Sequence, residues 1–151
     1  MDDIDQRLVA LLVADARASY AELARSVGLS APSVHDRVRR LERSGAITGY
    51  SAVVDPHAVG LGVTALVGIL QREGVEQEDL ATALAAIEEI EDCWFVAGEE
   101  AFVVKVRVAD IDALEHTLGV LRRTAGVART RTTVVLSTRF ESRRRMPDGS
   151  A

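Results

Sequence analysis

Residues 19–45, SYAELARSVGLSAPSVHDRVRRLERSG, decide the fold of the first part of this chain. Ser19 followed three residues later by Glu22 is a capping-box pattern, and it opens a helix whose apolar stripe is Leu23, Ala24 and Val27. Gly28 supplies the backbone freedom that a sharp exit needs. Ser30 caps a second helix, Pro32 falls in its first turn, where a missing N–H costs little, and Gly45 ends it. Along this helix Val34, Val38 and Leu41 recur at i, i+4 and i+7, which makes one face apolar and leaves the rest polar. Two short helices about a glycine-containing turn form a helix-turn-helix, the arrangement that lays its second helix in the major groove of DNA.

The outward residues are the candidate readers. Ser30, Pro32, Ser33, His35, Asp36, Arg37, Arg39 and Arg40 make up the expected DNA-binding set. Ser33, His35 and Asp36 lie near the start of the helix and carry groups that donate to or accept from base edges, whereas Arg37, Arg39, Arg40 and Arg43 suit phosphate oxygens or guanine. On an isolated helix the same charges would read as an ordinary solvated face. The cap, the glycine and the helix before it turn the reading toward DNA.

Working outward, residues 4–14 place Ile4, Leu8, Leu11 and Leu12 at helical spacing behind several aspartates, so a further helix is expected to pack on the other two. After Gly45, the residues Ile47, Tyr50, Ala52 and Val54 around Gly49 suggest two short strands, a wing. The DNA-binding domain is thus assigned to residues 1–50 and a linker to 51–62, where Asp55-Pro56 and two glycines break the pattern.

From Val63 onward the periods alternate. VTALVGILQ, DCWFVAG, AFVVKVRV and TRTTVVLS read as strands, and the segments around Leu80, Leu84 and Ile87 and around Ile111, Leu114, Leu118 and Leu121 read as helices. AFVVKVRV alternates apolar with polar residues, which marks a strand exposed on one face. The order β-α-β-β-α-β over residues 63–140 is the ferredoxin-like split motif, so the fold class is α+β. Helices cover only one face of such a sheet, and a second copy of the same sheet is the economical cover for the other, giving a two-fold dimer. Residues 141–151 read as a flexible tail whose Arg143, Arg144 and Arg145 either solubilise the end or touch nucleic acid.

Composition bounds the rest. The 151 residues carry 48% hydrophobic content and a net charge of −5, and no apolar run is long enough to span a bilayer. The acidic excess lies wholly after residue 50, so the local field of the arginine-bearing helix still favours phosphate. One cysteine, Cys93, excludes an internal disulfide, and His35, His57 and His116 are too scattered for a metal site. Cys93 is expected to pack in the core, and His57 and His116 to face solvent or pack. No nucleophile–base spacing and no phosphate-binding glycine loop point to an enzyme, and neither a cofactor nor a membrane partner is expected. The expected location is the cytoplasm.

With both halves laid out, the sequence resembles the Lrp/AsnC, or feast/famine, family of bacterial and archaeal transcription factors. The resemblance runs from Asp3 to about Phe140. It rests on Asp15 and Arg17, Leu23-Ala24, Gly28-Leu29-Ser30, Arg37, Leu41-Glu42, Gly45, Ile47, Gly49-Tyr50 and Gly60, and on the later VAGEEAFVVKVRV and GVARTRTTVVL. It implies a winged helix-turn-helix, a βαββαβ effector domain, and dimerisation through the sheets with assembly to higher oligomers, here an octamer. It also implies a free amino acid bound where dimers meet.

The family's turn after the second effector-domain strand reads Gly-x-x-Asp before an aromatic. Here it reads Gly98-Glu99-Glu100-Ala101-Phe102, so the aspartate is absent. Gly98, Glu99, Glu100, Ala101 and Thr132 are the implied effector-binding positions. Ala101 offers no acceptor to a ligand's ammonium group; Glu99 and Glu100 either replace it or form a solvated hairpin tip. An amino-acid-responsive regulator and an orphan or architectural DNA binder of the same fold therefore both stand as expectations.

Overall fold

The computed structural model describes residues 1–142, so the expected tail beyond Ser142, with Arg143, Arg144 and Arg145, lies outside the described residues. The chain divides into two compact units, residues 1–53 together with 140–142, and residues 54–139.

In the first unit three helices, α1 (Asp3–Ala14), α2 (Tyr20–Val27) and α3 (Ala31–Arg43), enclose a core of Leu8, Leu12, Leu23, Ala24, Val34 and Val38. Their ends follow from local chemistry. Ser19 and Glu22 close the capping box on α2, with Ser19 N donating to Glu22 Oε2 at 2.8 Å. Gly28, at φ 72°, takes the left-handed conformation that ends α2 and turns the chain toward α3. Ser30 accepts from Ser33 N at 3.3 Å to open α3, and Gly45, at φ 75°, lets the chain leave it.

The expected wing does not form. Between Gly45 and the 3₁₀ turn Pro56–Val59 no residue is in a strand. Ile47 N donates to Leu41 O at 3.1 Å and Ile47 packs at the core's edge, but Val53 is 91% exposed and this stretch has no strand ladder among the described residues. An alternating apolar pattern becomes a strand only where another strand supplies the hydrogen-bond ladder.

The second unit is a four-stranded antiparallel sheet in the order β2-β3-β1-β4, built from β1 (Val63–Gln71), β2 (Ile90–Phe95), β3 (Phe102–Val108) and β4 (Val127–Val135). Helices α4 (Gln77–Ala85) and α5 (Ile111–Arg123) complete the βαββαβ order. Ala65, Val67 and Ile69 of β1 and Phe102, Val104 and Val106 of β3 meet Leu80, Leu84, Leu114 and Leu121 in one core. The strand period of two sends Thr64, Leu66, Gly68 and Leu70 to the opposite, helix-free face.

Three expectations are corrected in this unit. The polar residues of β3 are not exposed: the side chains of Lys105 and Arg107 retain only 12% and 6% of their accessibility. Lys105 Nζ lies 2.8 Å from Glu91 and 3.1 Å from Asp92, and Arg107 Nε lies 3.1 Å from Glu91, so the acidic edge strand β2 folds its carboxylates over them. Cys93 is exposed rather than packed, because β2 is an edge strand. What desolvation its thiol does feel pushes its pKa up, which suppresses the reactive thiolate. Ile111, expected on the buried stripe of its helix, is 59% exposed at the first turn, while Thr117 takes a buried place beside Leu114 and Leu121.

Leu84 is fully buried at the centre of the sheet-side core. Leu84→Ala is expected to lower the stability of the second unit by about 2–5 kcal/mol. Chemical denaturation followed by Trp94 fluorescence, which reports on this unit, checks it.

Candidate functional site

On α3, steps of about 100° per residue set Pro32, Asp36, Arg39 and Arg43 opposite the buried stripe of Val34, Val38 and Leu41. Ser33 and Arg40 border that outward face, and all six residues are exposed. The groups expected to meet DNA are thus brought to one surface, with three exceptions. Ser30 is engaged as the cap and shares a 2.8 Å hydrogen bond between its Oγ and that of Ser33. His35 lies on the flank, edge-on to the Tyr20 ring with centroids 5.1 Å apart, and its Nδ1 is 3.4 Å from Asp36.

Arg37 departs most from expectation. It turns away from the outward face and donates from Nη1 to Asp2 Oδ2 at 2.6 Å and to Asp5 Oδ1 at 2.8 Å. Arg40 reaches the same Asp5, with Nη2 at 3.3 and 3.2 Å from the two carboxylate oxygens. Asp2 caps α1 at the same time, accepting from Asp5 N at 2.8 Å. The hydrogen bond from Arg37 holds the Asp2 carboxyl below its usual range. At Asp5 burial works to raise the pKa, but the Arg37 hydrogen bond and its neighbours outweigh burial and the net shift is downward. The two aspartates in turn raise the pKa of Arg37. Sequence reading took these aspartates only as helix-start residues; their spacing of three on one helix turn was the available signal that they converge.

In the second unit the turn between β2 and β3 is held by Val96 N donating to Ala101 O and Ala101 N to Ile69 O, each at 2.9 Å. Ala101 packs partly against the core. Glu99 and Glu100 do not stand free at the tip. Arg131 Nη1 donates to Glu100 Oε1 at 2.6 Å, Arg131 Nη2 to Glu99 Oε2 at 2.9 Å, and Arg129 lies 3.5 Å from Glu99. The hydrogen bond from Arg131 keeps the Glu99 carboxyl below its usual range.

Gly68, which pairs with both Val103 and Arg131, makes this possible: a Cβ there would come within 2.7 Å of Glu100 Cγ. Glu100 thus crosses the helix-free face of β1 to reach β4. Thr132 is not part of this cluster, because it pairs with the core residue Val67 and so points to the other face of the sheet. Sequence reading missed Gly68 and Arg129 because a cross-sheet contact leaves no local spacing.

No group of residues suited to holding a metal ion occurs among the described residues, and no described helix is long and apolar enough to cross a membrane.

The lowered pKa values of Asp2 and Asp5 fix a sign. Carboxyls whose folded pKa is depressed contribute stability that is present above their unfolded pKa and is lost as pH falls through the folded value. The first unit is expected to lose stability progressively on acidification below about pH 4, the ordinary aspartate range. Asp5→Asn should flatten that loss in melting curves taken from pH 7 downward, at a lower starting stability.

Residues 1–42 match the AsnC-type helix-turn-helix domain and residues 64–145 match the Lrp/AsnC ligand binding domain. The chain is 47% identical over 147 residues to the HTH-type transcriptional regulator LrpA of Mycobacterium tuberculosis, covering 97% of each chain. It is 39% identical to the leucine-responsive regulatory protein of Escherichia coli, covering 95% of this chain and 90% of that protein. A solved feast or famine regulatory protein from M. tuberculosis, complexed with L-methionine, superimposes with a TM-score of 0.91 at 47% identity, over 97% of this chain and 99% of that one.

Proposed function

This chain belongs to the Lrp/AsnC family of transcriptional regulators, and from that premise we propose how its own residues carry the function. The second helix of the helix-turn-helix, α3, enters the major groove, with Ser33, Asp36 and Arg39 toward base edges and Arg40 and Arg43 on phosphates. The observation that carries this is the single exposed face of α3, on which Arg39 and Arg43 stand opposite a fully seated apolar stripe with Arg40 at the border. Arg37 is removed from the contact set and becomes part of the support beneath it, since its guanidinium already serves two aspartates.

The second unit takes a free amino acid and builds the assembly, a dimer through the helix-free sheet face with higher oligomers up to the octamer. The methionine complex of the relative supports an amino acid as the effector class. The turn at Gly98, Glu99, Glu100 and Ala101 supplies the site, with the paired glutamates and arginines as its charged groups. Such a function belongs in the cytoplasm. One observation favours the orphan reading instead: Ala101 carries no acceptor, and Glu99 and Glu100 are already engaged by Arg131.

Two measurements test this reading. Arg43→Ala should weaken binding to all duplexes alike and lower the slope of log affinity against log salt by about 1, whereas Ser33→Ala should relax preference at particular base pairs by about 1–3 kcal/mol. Equal effects on all sequences would refute the assignment of Ser33 to base edges. A thermal-shift panel against the twenty amino acids should give a saturable rise with at least one, about 2.7 kcal/mol of added stability at a hundredfold excess over Kd. No rise in protein that still retards DNA establishes the orphan reading.

A further inference from the structure

Asp5 breaks the usual rule of burial, for it is a carboxylate in the first turn of α1 that is only 4% exposed. Its two arginine partners make that tenable, because a buried charge is tolerated when it is paired and hydrogen-bonded. One arginine would suffice for this. Arg37, with one-quarter of its side chain exposed and a second bond to Asp2, is the structural partner.

Arg40 is the additional one. Its side chain is 58% exposed, and it stands between the α1 flank and the outward face of Asp36, Arg39 and Arg43. An exposed arginine on a helix samples many rotamers. Anchored to Asp5 through Nη2 alone, Arg40 keeps its other donors for a phosphate and has already lost part of the freedom that binding would remove.

We infer that Asp5 is a positioning residue for DNA reading: by holding Arg40 against α1 it fixes a phosphate contact that sets how α3 sits in the groove. Sequence discrimination depends on it more than affinity does. Electrostatics makes the idea separable from a purely structural role. Asp5 is a negative charge behind the DNA-facing surface, so removing it strengthens nonspecific attraction to DNA. Loss of a fixed phosphate anchor lets α3 shift, which weakens readout of base edges. A carboxylate that served only the fold would change stability and leave the ratio of specific to nonspecific affinity unaltered.

The test uses the full chain, a duplex that the protein itself selects from a random-sequence pool, and a scrambled duplex of equal composition. Asp5→Asn is expected to lower the specific-to-scrambled affinity ratio about tenfold, the effect of one mismatched base pair, while affinity for the scrambled duplex stays level or rises. Asp2→Asn leaves both arginines on Asp5 and should keep the wild-type ratio; a comparable fall there overturns the inference by pointing to general loosening of α1. In an Arg40→Ala background Asp5→Asn should produce no further fall beyond about twofold. A full further fall, or an unchanged ratio in Asp5→Asn itself, also overturns it. Should Asp5→Asn not fold, Arg40→Lys serves, since it retains the charge but lacks the planar fork that meets a carboxylate and a phosphate together. The same tenfold fall with scrambled affinity retained supports the inference, and an unchanged ratio overturns it.

Discussion

Val34 and Val38 of α3 are withdrawn from solvent into a core shared with Leu8 and Leu23, with 0% to 2% of each left exposed, and this seating governs everything the helix presents outward. Burying a side chain of this size contributes about 1.5–3 kcal/mol, so rotating α3 by even one residue position would forfeit most of the stability of a small three-helix unit. The orientation of Asp36, Arg39 and Arg43 is therefore set by apolar packing rather than by any charge. Charge then refines it. The Asp2 and Asp5 pair on the first turn of α1 draws Arg37 inward and tethers Arg40 at the border, leaving Arg39 and Arg43 wholly outward.

The same chemistry recurs in the second unit with a different result. Glu91 and Asp92 cover Lys105 and Arg107 on the helix-free face of the sheet, and Glu99 and Glu100 hold Arg131 at its other end. The pairs at Arg131 are exposed and add little stability. Their effect is on the character of the surface: basic side chains that would repel a second positively charged face are neutralised within the chain. Leu66 and Trp94, 39% and 47% exposed, lie on that same face and give it apolar ground between the charged ends. A net charge of −5 coexists with DNA binding because the acidic excess lies after residue 50, outside the segment that carries the arginines of α3.

Much of this was legible in the sequence. The caps at Ser19 and Ser30, the turn at Gly28, the stripe of α3 and the βαββαβ order all depend on residues within one or two helical turns of each other or on a strand period of two. Such signals survive in a linear string. The wing failed for the opposite reason: Tyr50, Ala52 and Val54 carry the pattern of a strand, yet a strand is defined by the ladder of a neighbour, and no described residue between Gly45 and Pro56 is in one. Cys93 failed similarly, since burial on a sheet depends on whether the strand is central or at the edge.

What the sequence determined by itself was the list of elements, their order and the face of α3 that is buried, because helix and strand periods encode which side meets the core. Only the tertiary structure decided which charged residues are free to act. Arg37 and Asp5 are 32 positions apart, Arg131 and Glu100 31, and Gly68 earns its place only from a glutamate that crosses over it from the turn between β2 and β3. Electrostatic partnership is a matter of distance in space, and no period along the chain records it.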